Sequence, residues 1–245
     1  MTTMACIFFL IVLLLTPIVV AEKVAGGAAL EDIVPMQKVK RPKLKEPFKF
    51  PEVTHKVYLD VVINEEEPIK GRITIGLFGK AVPRASENFR SLCACDKGNG
   101  KMSKKPLCYK GTKFHRIICG DCLTGDNSDR LFNAVPNFMI QGGDISDSNG
   151  VGGESIYGGY FDDEPSEVLL NKLYLVASAN KGPNTNGSQF FINTVKSSWL
   201  DGKNVVFGMV LSGYDIVDEI ESVGSNEGHP HVDVLIESSG VLEDS

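Results

Sequence analysis

The run Phe114-His115-Arg116-Ile117-Ile118 places a permanently charged side chain among strand-forming apolar residues. An arginine stays protonated and presents a rigid fork of donors, so it suits electrostatic stabilisation of a reacting group. Taken alone, an arginine at a strand end reads as a surface residue. A second run, Phe138-Met139-Ile140-Gln141-Gly142-Gly143-Asp144, combines soft apolar side chains with an amide. A third goes from Ala177 through Ala179-Asn180 and a Gly/Pro/Asn loop to Ser188-Gln189-Phe190-Phe191-Ile192. A fourth, Trp199-Leu200-Asp201-Gly202-Lys203-Asn204, holds the chain's only tryptophan. Aromatic and thioether side chains form a dry cup for a small ring, and amides orient a peptide beside it. Read singly, apolar strand residues are core, so only convergence in space makes these groups a site.

The elements that must bring them together are short. Val57–Ile63 reads as a strand, and Arg72–Phe78 alternates like a half-buried one, with a Glu/Pro turn between them as in a hairpin. Pro83 opens a helical pattern with Ala85, Phe89 and Leu92 on one face; proline suits a first helical position. Further strands fit Thr112–Ile118, Phe138–Gln141, Leu173–Ala179, Gln189–Thr194, Val205–Val210 and Val232–Glu237, and a second helix fits Tyr214–Val223. Many short strands and two helices predict a mainly β fold, an antiparallel barrel with helices capping its ends. No internal repeat is present.

Composition divides the chain. Apolar content of 42% supports a real core, and 13 Phe predict Phe-rich packing. A net charge of −6 argues against general nucleic-acid affinity. Residues 22–51 hold seven Lys/Arg against four acids, a net of +3; residues 1–21 are uncharged, which leaves −9 for the remainder. Ala5–Val20 is apolar apart from Thr16-Pro17, and Val19-Val20-Ala21 puts small residues at a cleavage site, so residues 1–21 read as a secretory signal. The segment lacks the basic residues usual at its start; the rival is an uncleaved membrane anchor, for which the run is short. No KDEL-type address ends the chain. Residues 22–52, with four prolines among lysines, read as an extended basic linker.

The four motifs, in this order, resemble the cyclophilins, a family of peptidyl-prolyl cis/trans isomerases. The resemblance runs from about Val53 to about Leu242, and residues 53–243 are assigned to that domain. It implies an eight-stranded antiparallel barrel capped by two helices. It also implies catalysis of X–Pro rotation, a step with a barrier of ~20 kcal/mol from amide resonance. Arg116 matches the catalytic arginine, whose hydrogen bond toward the imide nitrogen would favour the twisted amide over the planar one. Phe138, Met139, Phe191 and Leu200 match the proline pocket. Gln141 and Gln189 match the amides that orient the substrate carbonyl and the arginine. Ala179 and Asn180 match the backbone station for the extended substrate, and Trp199 matches a rim tryptophan associated with cyclosporin A. Proline-containing peptides and client proteins are the implied partners. No cofactor, metal or nucleic acid is expected, and a monomer is. With the signal, this implies folding assistance in the endoplasmic reticulum lumen or outside the cell.

Three features depart from the family. Asn204 stands where the family has histidine at the pocket edge; it keeps a donor, loses the ring, and should alter activity or preference. Cys119–Val135, 17 residues, separates Ile118 from Pro136-Asn137-Phe138, which the family joins almost directly. Closing such a loop costs about 2–3 kcal/mol, and deleting it restores the family spacing, as a retained intron would. Beyond Cys6, five cysteines remain (Cys93, Cys95, Cys108, Cys119 and Cys122), so disulfides leave one thiol over. The loop 98–109 resembles the extended loop of divergent plant cyclophilins. Cys119-Gly120-Asp121-Cys122 has redox-motif spacing without the helix N-terminus such motifs use, and reads as a loop pair. Asn186-Gly187-Ser188 fits a glycosylation sequon but falls beside the active face. The competing class is a binding module: a proline-peptide chaperone with catalysis weakened by the insertion and by Asn204.

Overall fold

The computed structural model describes residues 49–119 and 136–243. The signal, most of the basic stem and the bulk of the insertion therefore lie outside the described residues. Eight strands form one antiparallel sheet: β1 (His55–Ile63), β2 (Ile69–Leu77), β3 (Arg116–Cys119), β4 (Pro136–Gly142), β5 (Leu175–Ser178), β6 (Phe190–Asn193), β7 (Val206–Ser212) and β8 (Val234–Leu242). Their spatial order is β3-β4-β6-β5-β7-β2-β1-β8. The two outer strands are bridged by the chain just ahead of β3. Phe114 donates to Val234, Gly111 to Ile236, and Ile236 back to Thr112. This segment and β3 were expected as one strand over Thr112–Ile118; instead the chain serves β8 first and starts β3 only at Arg116.

Alternation decides which side chains go in. In the β1–β2 hairpin, Val57 faces Ile75 and Leu59 faces Ile73, and all four are fully buried. Across the site strands, Ile117, Ile140, Ile192 and Val176 are successive register partners and are also fully buried. Residues one step away on each strand must point to the other face, because the side-chain period is two.

Two helices cover the sheet. α1 (Pro83–Ala94) packs against β1, β7 and β8, and α2 (Tyr214–Ser222) against β2, β3 and β4. α1 starts at its proline, and its first amides, Arg84 and Ala85, donate to the Glu164 carboxylate because Val82 offers no capping side chain. Its Phe89 meets Tyr109, Phe190 and Phe207 with ring centroids 5.0–5.1 Å apart, the Phe-rich packing the composition predicted. α2 buries Val217 and Ile220. Gly71 lies beneath it, where a β-carbon would overlap Ile216. Ahead of β1, Phe50 stacks on Phe78 and carries the Lys172 ammonium over its ring.

Candidate active site

Register builds the site. Arg116 on β3 pairs with Gln141 on β4, Gln141 with Phe191 on β6, and Phe191 with Ala177 on β5. These form one cross-strand row on the face opposite the isoleucine core, and Met139, two residues before Gln141, shares that face. The pairs Arg116–Gln141, Ile117–Ile140 and Ile118–Met139 are regular, and the shift comes only at Cys119–Pro136. The strands on either side of the insertion thus stay in step where the site needs them.

A cleft of about 540 Å³ lies over this row. Arg116, Phe138, Met139, Gln141, Ala179, Asn180, Phe191, Leu200 and Asn204 all line it. Met139 and Phe191 are buried in its floor, while Phe138 and Leu200 are half-buried walls. Trp199 does not line it; 55% exposed, its ring sits 5.6 Å from that of Phe138 as a rim. Gln189 stands behind Gln141, in a second cleft of about 90 Å³ that shares Gln141, Ala179 and Asn180 with the first.

The amides form a directed chain. The Gln189 amide nitrogen donates to the carbonyls of Gly150 (3.0 Å) and Gly152 (2.8 Å). That leaves its oxygen to accept from the Gln141 nitrogen at 2.9 Å. The Gln141 oxygen then faces Arg116, whose Nη1 donates to it at 3.4 Å. Two backbone carbonyls so fix the orientation of every group up to the guanidinium. Arg116 has no ion pair among the described residues, so its charge is available to the cleft.

His115 lies beneath this chain. Both its ring nitrogens are closed off from solvent. Burial pushes the imidazole below its ordinary pKa, against the opposing pull of the Asp144 charge and of its contacts with the Gln189 side chain and the Lys113 backbone. Gly150, at φ +89°, lies against the ring: a β-carbon there would come within 2.8 Å of Cδ2. Burial alone would raise the Asp144 carboxyl. Backbone amides of Asp147, Gly152, Ser146 and Gly150 outweigh it and hold the group below the usual range.

At the substrate station, Ala179 donates its amide to Gln189 at 3.0 Å. The Asn180 N–H and C=O have no partner among the described residues. The Asn180 side chain is held by the Lys203 carbonyl at 2.8 Å. Asn204 departs from expectation: its amide nitrogen donates to the Ser178 carbonyl at 2.9 Å, so one of its two N–H donors is engaged in the scaffold.

Several lining residues were not singled out for binding in the sequence. Gly182, Pro183, Gly202 and Lys203 extend the cleft from loops read there only as turns or motif spacers. Asp163 joins them from a loop with no local signal; its carboxylate accepts from the Asn184 amide and the Asn186 side chain. Asn186 is fully buried, so the folded chain presents no accessible amide at the sequon. Cys95 pairs with Cys108, Cys119 is disulfide-bonded, and Cys93 is a buried free thiol. Cys122 lies outside the described residues.

Comparison with known proteins agrees with this geometry. Residues 58–241 match the family model for the cyclophilin type peptidyl-prolyl cis-trans isomerase. The chain belongs to that family, and its eight-stranded, two-helix fold is the one the resemblance implied. It is 47% identical over 192 residues to the peptidyl-prolyl cis-trans isomerase CYP21-1 of Arabidopsis thaliana, covering 78% of this chain and 77% of that protein. It is 45% identical over 186 residues to the NK-tumor recognition proteins of Mus musculus and Homo sapiens. That match covers 76% of this chain but only 12% and 11% of theirs, so the chain spans about a tenth of those proteins.

Proposed function

We propose that this protein isomerises X–Pro bonds in client proteins of the secretory pathway by electrostatic stabilisation of the twisted amide. The observation that carries the reading is the cross-strand row in which Arg116, fixed by Gln141 and Gln189, lies beside the buried floor of Met139 and Phe191. The cleft takes the pyrrolidine ring against Phe138, Met139, Phe191 and Leu200 and strips water from it. The unpaired Asn180 backbone groups take the flanking chain as a short β-bridge, which leaves the imide bond as the one free torsion. As the bond twists, resonance is lost and the nitrogen recovers its lone pair. The Arg116 guanidinium donates to that nitrogen, an interaction absent from the planar ground state. No proton leaves the protein, so a histidine at position 204 is not required. Trp199, beside Phe138, offers the rim on which cyclosporin A would bind.

The apolar run Ala5–Val20 supports entry to the secretory pathway, as does the Cys95–Cys108 disulfide, a bond favoured in oxidising compartments. The test is turnover of a Xaa-Pro peptide by the full chain and by a copy lacking Cys119–Val135. Acceleration by both supports the reading, as the β3–β4 register, regular from Arg116 to Ile118, expects. Peptide binding without acceleration by the full chain would make this form a proline-peptide chaperone.

A further inference from the structure

The second cleft opens beside a surface that the isomerase reading leaves unused. The turn 100–105 is closed by two backbone hydrogen bonds, Gly100 to Lys105 (2.8 Å) and Lys104 to Gly100 (3.2 Å). The Cys95–Cys108 disulfide ties down the loop that carries it. Beneath the turn, the buried Glu154 carboxylate accepts from the amides of Met102 and Ser103 and from the Ser103 hydroxyl. Burial alone would raise that carboxyl; these donors keep it below its ordinary range, hence charged and saturated.

The turn leans on the edge of the second cleft. A β-carbon on Gly159 would meet the Met102 sulfur at 3.0 Å, and one on Gly158 the Lys101 side chain at 3.5 Å. The next residue, Tyr160, lines the cleft with Lys181. Met102 is 72% exposed, Val151 68% and Tyr160 52%. Lys101, Lys104, Lys105 and Lys181 are exposed, and none has an ion pair among the described residues. Lys104 and Lys181 instead donate to the carbonyls of Lys101 and Val151. Even counting Glu154, this surface is positive within an acidic domain.

We propose that this shelf selects clients with acidic side chains on the flank of the proline that leaves the main cleft across Ala179 and Asn180. Lys101, Lys105 and Lys181 read the charge, and Met102 and Tyr160 give the flanking chain an apolar seat. Continuity with the groove argues for the same peptide rather than a separate partner, because the two clefts share Gln141, Ala179 and Asn180. The braced turn presents its cations already ordered, so less entropy is lost on contact. The inference rests on the proposed isomerase groove.

The test uses the full chain and three Xaa-Pro peptides: one neutral, one acidic before the proline, one acidic after it. An acidic flank on one side should raise kcat/KM by roughly 3–10-fold at low ionic strength, through KM, and added salt should erode the gain. Lys101→Glu/Lys105→Glu should abolish the gain and leave the neutral peptide unaffected. No gain on either flank, or a gain that survives the double charge reversal, would overturn the proposal. Equal affinity for an acidic peptide without proline would also overturn it, because the lysines would then be a general anion surface. Fluorescence anisotropy of the same peptides reads the shelf separately from turnover. Failure to turn over the neutral peptide would sink the isomerase reading alone.

Discussion

At the scale of single residues, the site rests on groups that hold other groups. Gly150 supplies a carbonyl to Gln189 and, at φ +89°, leaves no room for a side chain above His115. Gly150→Ala should therefore cost both backbone strain and the orientation of the amide chain. Turnover should fall by roughly ten-fold or more, at about 1.4 kcal/mol per factor of ten, with little change in KM. A kinetic comparison on one peptide checks this. His115 sets a pH dependence. Its folded pKa is depressed, so the neutral form is stabilised above the unfolded value of 6.5. As pH falls below that value, the unfolded chain takes up a proton that the folded chain resists, and stability is lost. Glu87, held down to about 2 chiefly by its hydrogen bond from Arg90, adds a further loss as pH falls from about 4.5 toward about 2. Urea midpoints should drop between pH 7 and 5, and His115→Gln should flatten that part of the curve.

At the scale of elements, the loop 98–109 and the insertion are what distinguish this chain. Cys95 ends α1 in the left-handed conformation, at φ 57°, a place usually given to glycine, and the disulfide to Cys108 spans a sequence separation of 13. Cross-linking a loop of that length is worth about 3 kcal/mol in the chain-entropy model. Cys95→Ser/Cys108→Ser should lower stability by about 2–3 kcal/mol in urea unfolding, with the main cleft unchanged. Much of this level was legible in the sequence. Hairpin alternation, the helix-opening proline and the four motifs follow from local patterns, and register alone turns Arg-Ile-Ile, Met-Ile-Gln and Phe-Phe-Ile into an outer site and an inner core. The pairing of Cys95 with Cys108, the Glu154 clasp and the place of Asp163 were not legible. Five cysteines allow several pairings, and the contacts of Glu154 and Asp163 join loops distant in the sequence. The engaged Asn204 donor shows the same limit: residue type predicts a capability, and a neighbouring carbonyl decides how it is used.

At the scale of the whole molecule, an acidic isomerase-family domain follows a basic, proline-rich stem and an apolar N-terminal segment. The assignment of residues 1–21 as a signal predicts that the mature chain from a secretory host begins at Glu22. Intact mass and N-terminal sequencing check it, and retention of residues 1–21 would favour the membrane-anchored alternative. Among the described residues no helix is long and apolar enough to cross a membrane, which leaves the question to the N-terminal segment. The most direct test of Arg116 as the electrostatic catalyst is kcat/KM for a neutral Xaa-Pro peptide on the full chain and on Arg116→Ala. The expected loss is about 10²–10³-fold with peptide affinity nearly intact, the size seen when one preorganised donor to a transition state is removed. An Arg116→Ala protein that still turns the peptide over at close to the wild-type rate would contradict it.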